Sequence, residues 1–205
     1  MKSEYIDGRV WGGILGSMTG GNALAIAVSL ETGMRIGDVL RLKVSHLWDR
    51  SIKYTAAKTG KRAEVQCSER LIAALRANAV DGVCFPSRKG SKTPYRSRQA
   101  VWKNVRTAAD RAGVKPHVSP HSARKTYAVD LCHKQGFKAV QEALQHRYGS
   151  TTEIYAFADL RGNAYDPEAV INRTYEKVLH KLSTILGVEI SDEPPPPIYG
   201  EEALT

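Results

Sequence analysis

Six side chains of this chain, taken in order, suit the cleavage of a phosphodiester: Arg35 in TGMRIGDVLRL, Lys58 in AAKTGKRAEV, His121 and Arg124 in PHSARKTYA, and His146 and Tyr155 in LQHRYGSTTEIY. Breaking such an ester with a protein nucleophile requires positive donors on the nonbridging oxygens, an attacking oxygen, and an acid for the leaving alkoxide. Arg meets the first need, because its planar fork donates two hydrogen bonds to phosphate and keeps its charge. Arg35 and Arg124 are the candidates. Tyr155, nine residues after His146, offers the attacking oxygen. A phenol with a pKa near ~10 is a poor nucleophile unaided, so it needs the partners. Lys58, at a hairpin tip, is placed to reach into a DNA groove and act as the general acid. Taken singly these signals are weak, since H-x-x-R recurs by chance and hairpin tips carry Lys for solubility. Their order along the chain carries the reading.

The elements that must hold these residues follow from pattern. Residues 1–21 are Gly-rich and weakly periodic, which predicts a connector rather than a folded module. Asn22 is a candidate N-cap for ALAIAVSLETG, a nearly all-round apolar run that predicts a buried helix ending at Gly33. Arg35 follows that turn directly and opens a short helix, IGDVLRL. Residues 51–67 alternate on either side of KTGK and read as a β-hairpin. Ser68 caps a helix through ERLIAALRANA, a Gly, Pro, Ser and Lys loop covers 81–95, and helical patterns resume at about 97–112, 119–135, 137–145 and 150–158. His121 and Arg124, three apart at a helix N-terminus, share a face where free N–H groups favour an anion. The expected fold is mainly α with a small antiparallel β-hairpin (α+β).

Composition agrees with an anionic partner. The 205 residues carry a net +9, and residues 189–205 hold five acids with no Lys or Arg, leaving +14 on residues 1–188. Cys67, Cys84 and Cys132 form no CxxC pair, which suits a reducing cytoplasm and suggests neither a disulfide framework nor a zinc site. No apolar run approaches the ~20 residues that span a bilayer, and the N-terminus makes a poor signal peptide.

Over about residues 22–160 the chain resembles the catalytic domain of the tyrosine recombinases, the phage integrase family, through TGMRIGDVLRL, KTGK, HSARKTYA and LQHRYGSTTEIY in the family's order. The resemblance implies that Tyr155 attacks the scissile phosphate to form a 3′-phosphotyrosine while Arg35 and Arg124 stabilise the transition state. Lys58 would protonate the leaving 5′-hydroxyl, His121 would assist proton transfer, and His146 would bond a nonbridging oxygen. No ATP, metal or other cofactor is implied. The implied activity is site-specific DNA recombination in a bacterial host's cytoplasm, on the nucleoid. The partners would be double-stranded recombination sites, a homo-tetramer on synapsed DNA, and accessory proteins that bend DNA. Backbone contacts are expected from Lys61, Arg62, Arg96, Arg98, Lys103, Arg106 and Lys125.

Four departures from the family pattern matter. Asp38 stands where Glu is usual and serves as a supporting residue, Gln145 stands where Gly is usual, and Tyr148 is a rival nucleophile two residues after His146. Relatives also carry an N-terminal DNA-clamping domain, whereas here the first active-site Arg is residue 35, so an excised catalytic domain or a minimal enzyme is expected. The expected organisation is a connector over 1–21, the catalytic domain over 22–165, an amphipathic helix over 166–188 and an acidic, Pro-rich disordered tail over 189–205. The helix stripe Ile171, Val178, Leu182 and Leu186 packs on its own domain or on a neighbouring protomer. Two competing readings share the chemistry or the surface: a type IB topoisomerase and a non-catalytic DNA-binding relative. The pairs KTG and SxxK also evoke penicillin-recognising enzymes, but their order is reversed and SDN is absent.

Overall fold

The computed structural model describes residues 4–115 and 117–144. In chain order the elements are α1 (Gly8–Gly16), α2 (Gly20–Thr32), α3 (Ile36–Val39), a 3-10 turn (Val44–His46), β1 (Ser51–Thr55), β2 (Arg62–Gln66), α4 (Glu69–Ala77), α5 (Arg98–Arg111) and α6 (Pro120–Leu144). The expected mainly helical fold with one antiparallel hairpin is the one that forms, with register Ser51↔Gln66 through Thr55↔Arg62. His146, Tyr155, the rival Tyr148, Gln145, the 166–188 stripe and the acidic tail all lie outside the described residues.

Helix α2 is the hub. Its run from Asn22 to Ser29 is buried throughout, and it touches α1, α3, α4, α5 and α6. A helix without a polar face is stable only when enclosed on all sides. Each Leu or Ile buried there contributes roughly 2 kcal/mol. Helix α6 packs along α2, breaking at Gly136 where two helical patterns meet.

Two expectations fail here. Residues 1–21 are not a connector, because Gly8–Gly16 is helical and buries Trp11, Ile14 and Leu15 against the core with Ile6 and Met18. Four glycines within Gly8–Gly16 mask this in the sequence, but Asp7 caps the helix and Trp11 Nε1 donates to Thr126 Oγ1 at 2.9 Å. Thr126 in turn donates to Ile6 O at 2.7 Å, so the segment is strapped to α6. Asn22 is not an N-cap either, since α2 begins at Gly20 with Thr19 as its cap residue. Trp48 and Trp102 are 54% and 48% exposed. Lys53 sits over the Trp48 ring, its Nζ 4.4 Å from the centroid. Among the described residues no helix is long and apolar enough to cross a membrane.

Candidate active site

The turn after α2 sets the site's floor. Gly33 terminates the helix at φ 66, and its N–H donates to Ser29 O. A Cβ at this position would stand 2.4 Å from a Tyr127 ring carbon, so the crossing of α2 and α6 admits only glycine. Two buried hydroxyls hold the next residues. Ser29 Oγ donates to Met34 O at 2.8 Å, and Thr32 Oγ1 accepts from Met34 N at 3.3 Å. Arg35 therefore leaves a rigid turn as the residue before α3, its backbone extended at φ −68, ψ 138.

Arg124 comes from the first turns of α6. Ser119 accepts from His121 N and donates its own N–H to Ser122 Oγ, a reciprocal cap with Pro120 at the first helical position. The Arg124 guanidinium is buried, donating from Nη1 to Gly33 O at 2.5 Å and from Nη2 to Leu144 O at 2.9 Å. Burial, then repulsion from Arg35, lowers its pKa to about 10, which leaves it charged at neutral pH. The hairpin is docked by Asp38, whose buried carboxylate accepts from Ala57 N at 2.9 Å, next to Lys58.

Arg35, Asp38, Lys58, His121 and Arg124 thus line one cleft of about 640 Å³, together with Arg96 and Arg98. Among the described residues one carboxylate faces this many cations, which suits the cleft to an anion. Burial lowers the His121 pKa, and Lys125, Arg124, Arg35 and Lys58 lower it further, so the imidazole is neutral at pH 7 and can accept a proton. Tyr54 on β1 was not singled out by sequence. Burial, then Asp38, raises its phenol pKa, while Arg124 and Arg35 oppose the shift. Its place in the alternating strand pattern was the only available signal.

The expected DNA contacts separate. Arg98 lines the cleft and Lys103 lines a neighbouring basic depression. Lys61 is exposed beside the hairpin turn, and Lys125 is half-buried beside His121. Arg62 lines a different depression with His46 and Lys53. Arg106 lines neither basic depression and pairs with Asp110 at 3.8 Å.

Residues 17–160 match the family model described as "Phage integrase family". The chain belongs to the phage integrase family. Tyrosine recombinase XerD of Mycobacterium tuberculosis (strain CDC 1551 / Oshkosh) is 31% identical over 152 residues, covering 68% of this chain and 49% of the relative. A pre-cleavage complex of XerH site-specific recombinase bound to difH substrate superimposes with a TM-score of 0.60 at 23% identity, covering 79% of this chain and 51% of that one. The catalytic domain of bacteriophage HP1 integrase gives a TM-score of 0.58 at 19% identity, over 78% of this chain and 90% of that domain. The fold is accordingly that of an integrase-family catalytic domain. This integrase-family chain spans about half the length of the curated relatives it matches. The topoisomerase reading gains no support from these relatives, which are named recombinases.

Proposed function

We propose that this chain is the strand-transfer module of a site-specific DNA recombinase acting through a covalent 3′-phosphotyrosine at Tyr155. The observation that carries the reading is the convergence of Arg35, Lys58, His121 and Arg124, from three separate stretches of chain, on one cleft. In the step proposed, the Tyr155 oxygen bonds to phosphorus as the bond to the 5′ oxygen breaks. The phenol proton passes to neutral His121, the 5′ oxygen takes a proton from Lys58, and the two Arg forks hold the nonbridging oxygens. His146 adds a further hydrogen bond to the phosphate. Religation is the reverse attack by a 5′-hydroxyl, so the bond energy is retained and no cofactor is consumed.

The partner is double-stranded DNA at recombination sites, as the names of the DNA-bound relatives suggest, with four copies of the chain on a synapsed pair and DNA-bending proteins assisting. The setting is a bacterial cytoplasm. The test begins with a duplex recovered from a randomised pool by binding to this chain at low salt, then nicked to trap the covalent product. A phosphotyrosyl peptide containing Tyr155 is expected by mass spectrometry and should vanish in Tyr155→Phe. An adduct that persists in that variant, or maps to Tyr148, overturns the assignment.

A further inference from the structure

Arg96 stands in the wall of the cleft with no counter-ion among the described residues. Its Nη1 donates to Asn22 Oδ1 at 2.8 Å, and Asn22 Nδ2 donates to Asn104 Oδ1 at 2.9 Å. Asn104 Oδ1 also accepts from Thr19 N and Thr19 Oγ1, each at 3.1 Å. The guanidinium is therefore fixed by a relay of two neutral carboxamides, which orient it without compensating its charge. Its Nε is buried and has no hydrogen-bond partner among the described residues. Burial, then Arg88, lowers its pKa, so its surroundings oppose the charge it carries. A buried donor left unsatisfied loses its hydration without replacement, which makes the missing partner informative. The plane lies close against α2, because a Cβ at Gly21 would stand 2.9 Å from Arg96 Nη2 and 3.1 Å from its Cζ.

Position supplies the second half of the argument. Arg96 lines the catalytic cleft and also a second depression of about 1150 Å³ between the loop 86–91 and α5. That depression is lined by Arg88, Lys89, Lys103 and Arg111, and no acidic residue lines it among the described residues. The two basic surfaces share the wall formed by Tyr95, Arg96 and Ser97. A polyanion with regularly spaced charges can lie across both, and a single phosphate would not need the second.

We infer that Arg96 holds a phosphate neighbouring the scissile one, at the crossing between the cleft and a second groove that carries the same DNA strand over α5. Asn22 and Asn104 are then positioning residues for that fork. The inference rests on the reading of the cleft as a phosphodiester site.

The test uses the full chain and the duplex recovered from the randomised pool, with one methylphosphonate at a time replacing a phosphate on either side of the cleavage position. Wild-type protein should lose about tenfold in affinity at one such position, while Arg96→Gln should lose less than about twofold there, its partner being already gone. Arg96→Gln should also reduce the log–log salt slope by about 0.9. Gly21→Ala separates fold from contact. Alanine is the better helix former, so Tm should hold or rise, while the displaced guanidinium should reproduce the Arg96→Gln loss at the same position. Losses from Arg96→Gln and from the neutral phosphate that multiply at every position, or a Gly21→Ala chain that binds as wild type, overturn the inference. In either case an intact Tyr155 adduct shows that the cleft reading survives. A wild-type chain that binds no duplex and forms no adduct removes both.

Discussion

On one side of the cleft Arg124 is buried and its guanidinium donates to Gly33 O and Leu144 O, the carbonyls of two other turns. On the other side Lys58 is exposed at a hairpin tip, and Asp38 ties the hairpin down through Ala57 N. The contrast follows the chemistry proposed for each. A group that stabilises charge gains from being held before the reaction, since no reorganisation is then needed at the transition state. A proton donor must reach a leaving oxygen on a substrate that arrives from outside, so a solvent-facing arm suits it.

The largest expected effect tests the buried side. Arg124→Ala should reduce covalent adduct formation by about 10³-fold, measured in single turnover. It should also lower stability by roughly 1–3 kcal/mol in urea titration, because two buried carbonyls lose their donor. Arg124→Lys keeps the charge without the fork and should recover little of either. Lys58→Ala comes next, with adduct formation down about 10²-fold and the urea midpoint unchanged. A 5′-thiol leaving group, which departs without an acid, should restore the Lys58→Ala rate and leave Arg124→Ala slow. If Lys58→Ala proves as destabilising as Arg124→Ala, the two sides are not built differently. Smaller still is Asp38→Ala. By freeing the hairpin it should cost about tenfold in rate, and Asp38→Asn, which keeps an acceptor for Ala57 N, should restore most of it.

The buried and exposed parts of the site were unequally legible in the sequence. Arg35, Lys58, His121 and Arg124 sit on local devices, namely a Gly-terminated helix, a hairpin and a capped helix start, each encoded within a few residues. Those devices can be read without knowing what they pack against. Helix α1 could not, because its glycines depress helix propensity while the contact that holds Trp11 is with Thr126, 115 positions away. Asn22 illustrates the same limit. As a polar residue before an apolar run it reads as a cap, but its partners are Asn104 and Arg96, 82 and 74 positions distant. Nor could residue type separate Arg96, fixed in the cleft wall, from Arg106, paired to Asp110 away from it.

The smallest expected effect on cleavage, and the one that probes the packed side alone, concerns acidity. Burial raises the Asp130 carboxyl from 3.8 to about 7, with nearby Lys134 opposing and Asp7 reinforcing the shift. Burial likewise raises Glu31 from 4.5 to about 7, against the Ser68 N–H and hydroxyl that bond its carboxylate. For a carboxyl whose folded pKa lies above its unfolded value, the folded state binds the proton more tightly. The stabilising contribution is then complete below the unfolded value and is lost as pH rises through the folded one. The urea midpoint should therefore fall between about pH 4 and pH 7. Asp130→Asn should flatten that fall, and Glu31→Gln should flatten it further while keeping an acceptor for Ser68 N. Neither substitution should change adduct formation at pH 7 by more than about twofold. A steep fall that survives both would mean that the packed side does not hold its two carboxyls protonated, and that its rigidity rests on Arg124, Gly33 and the apolar core alone.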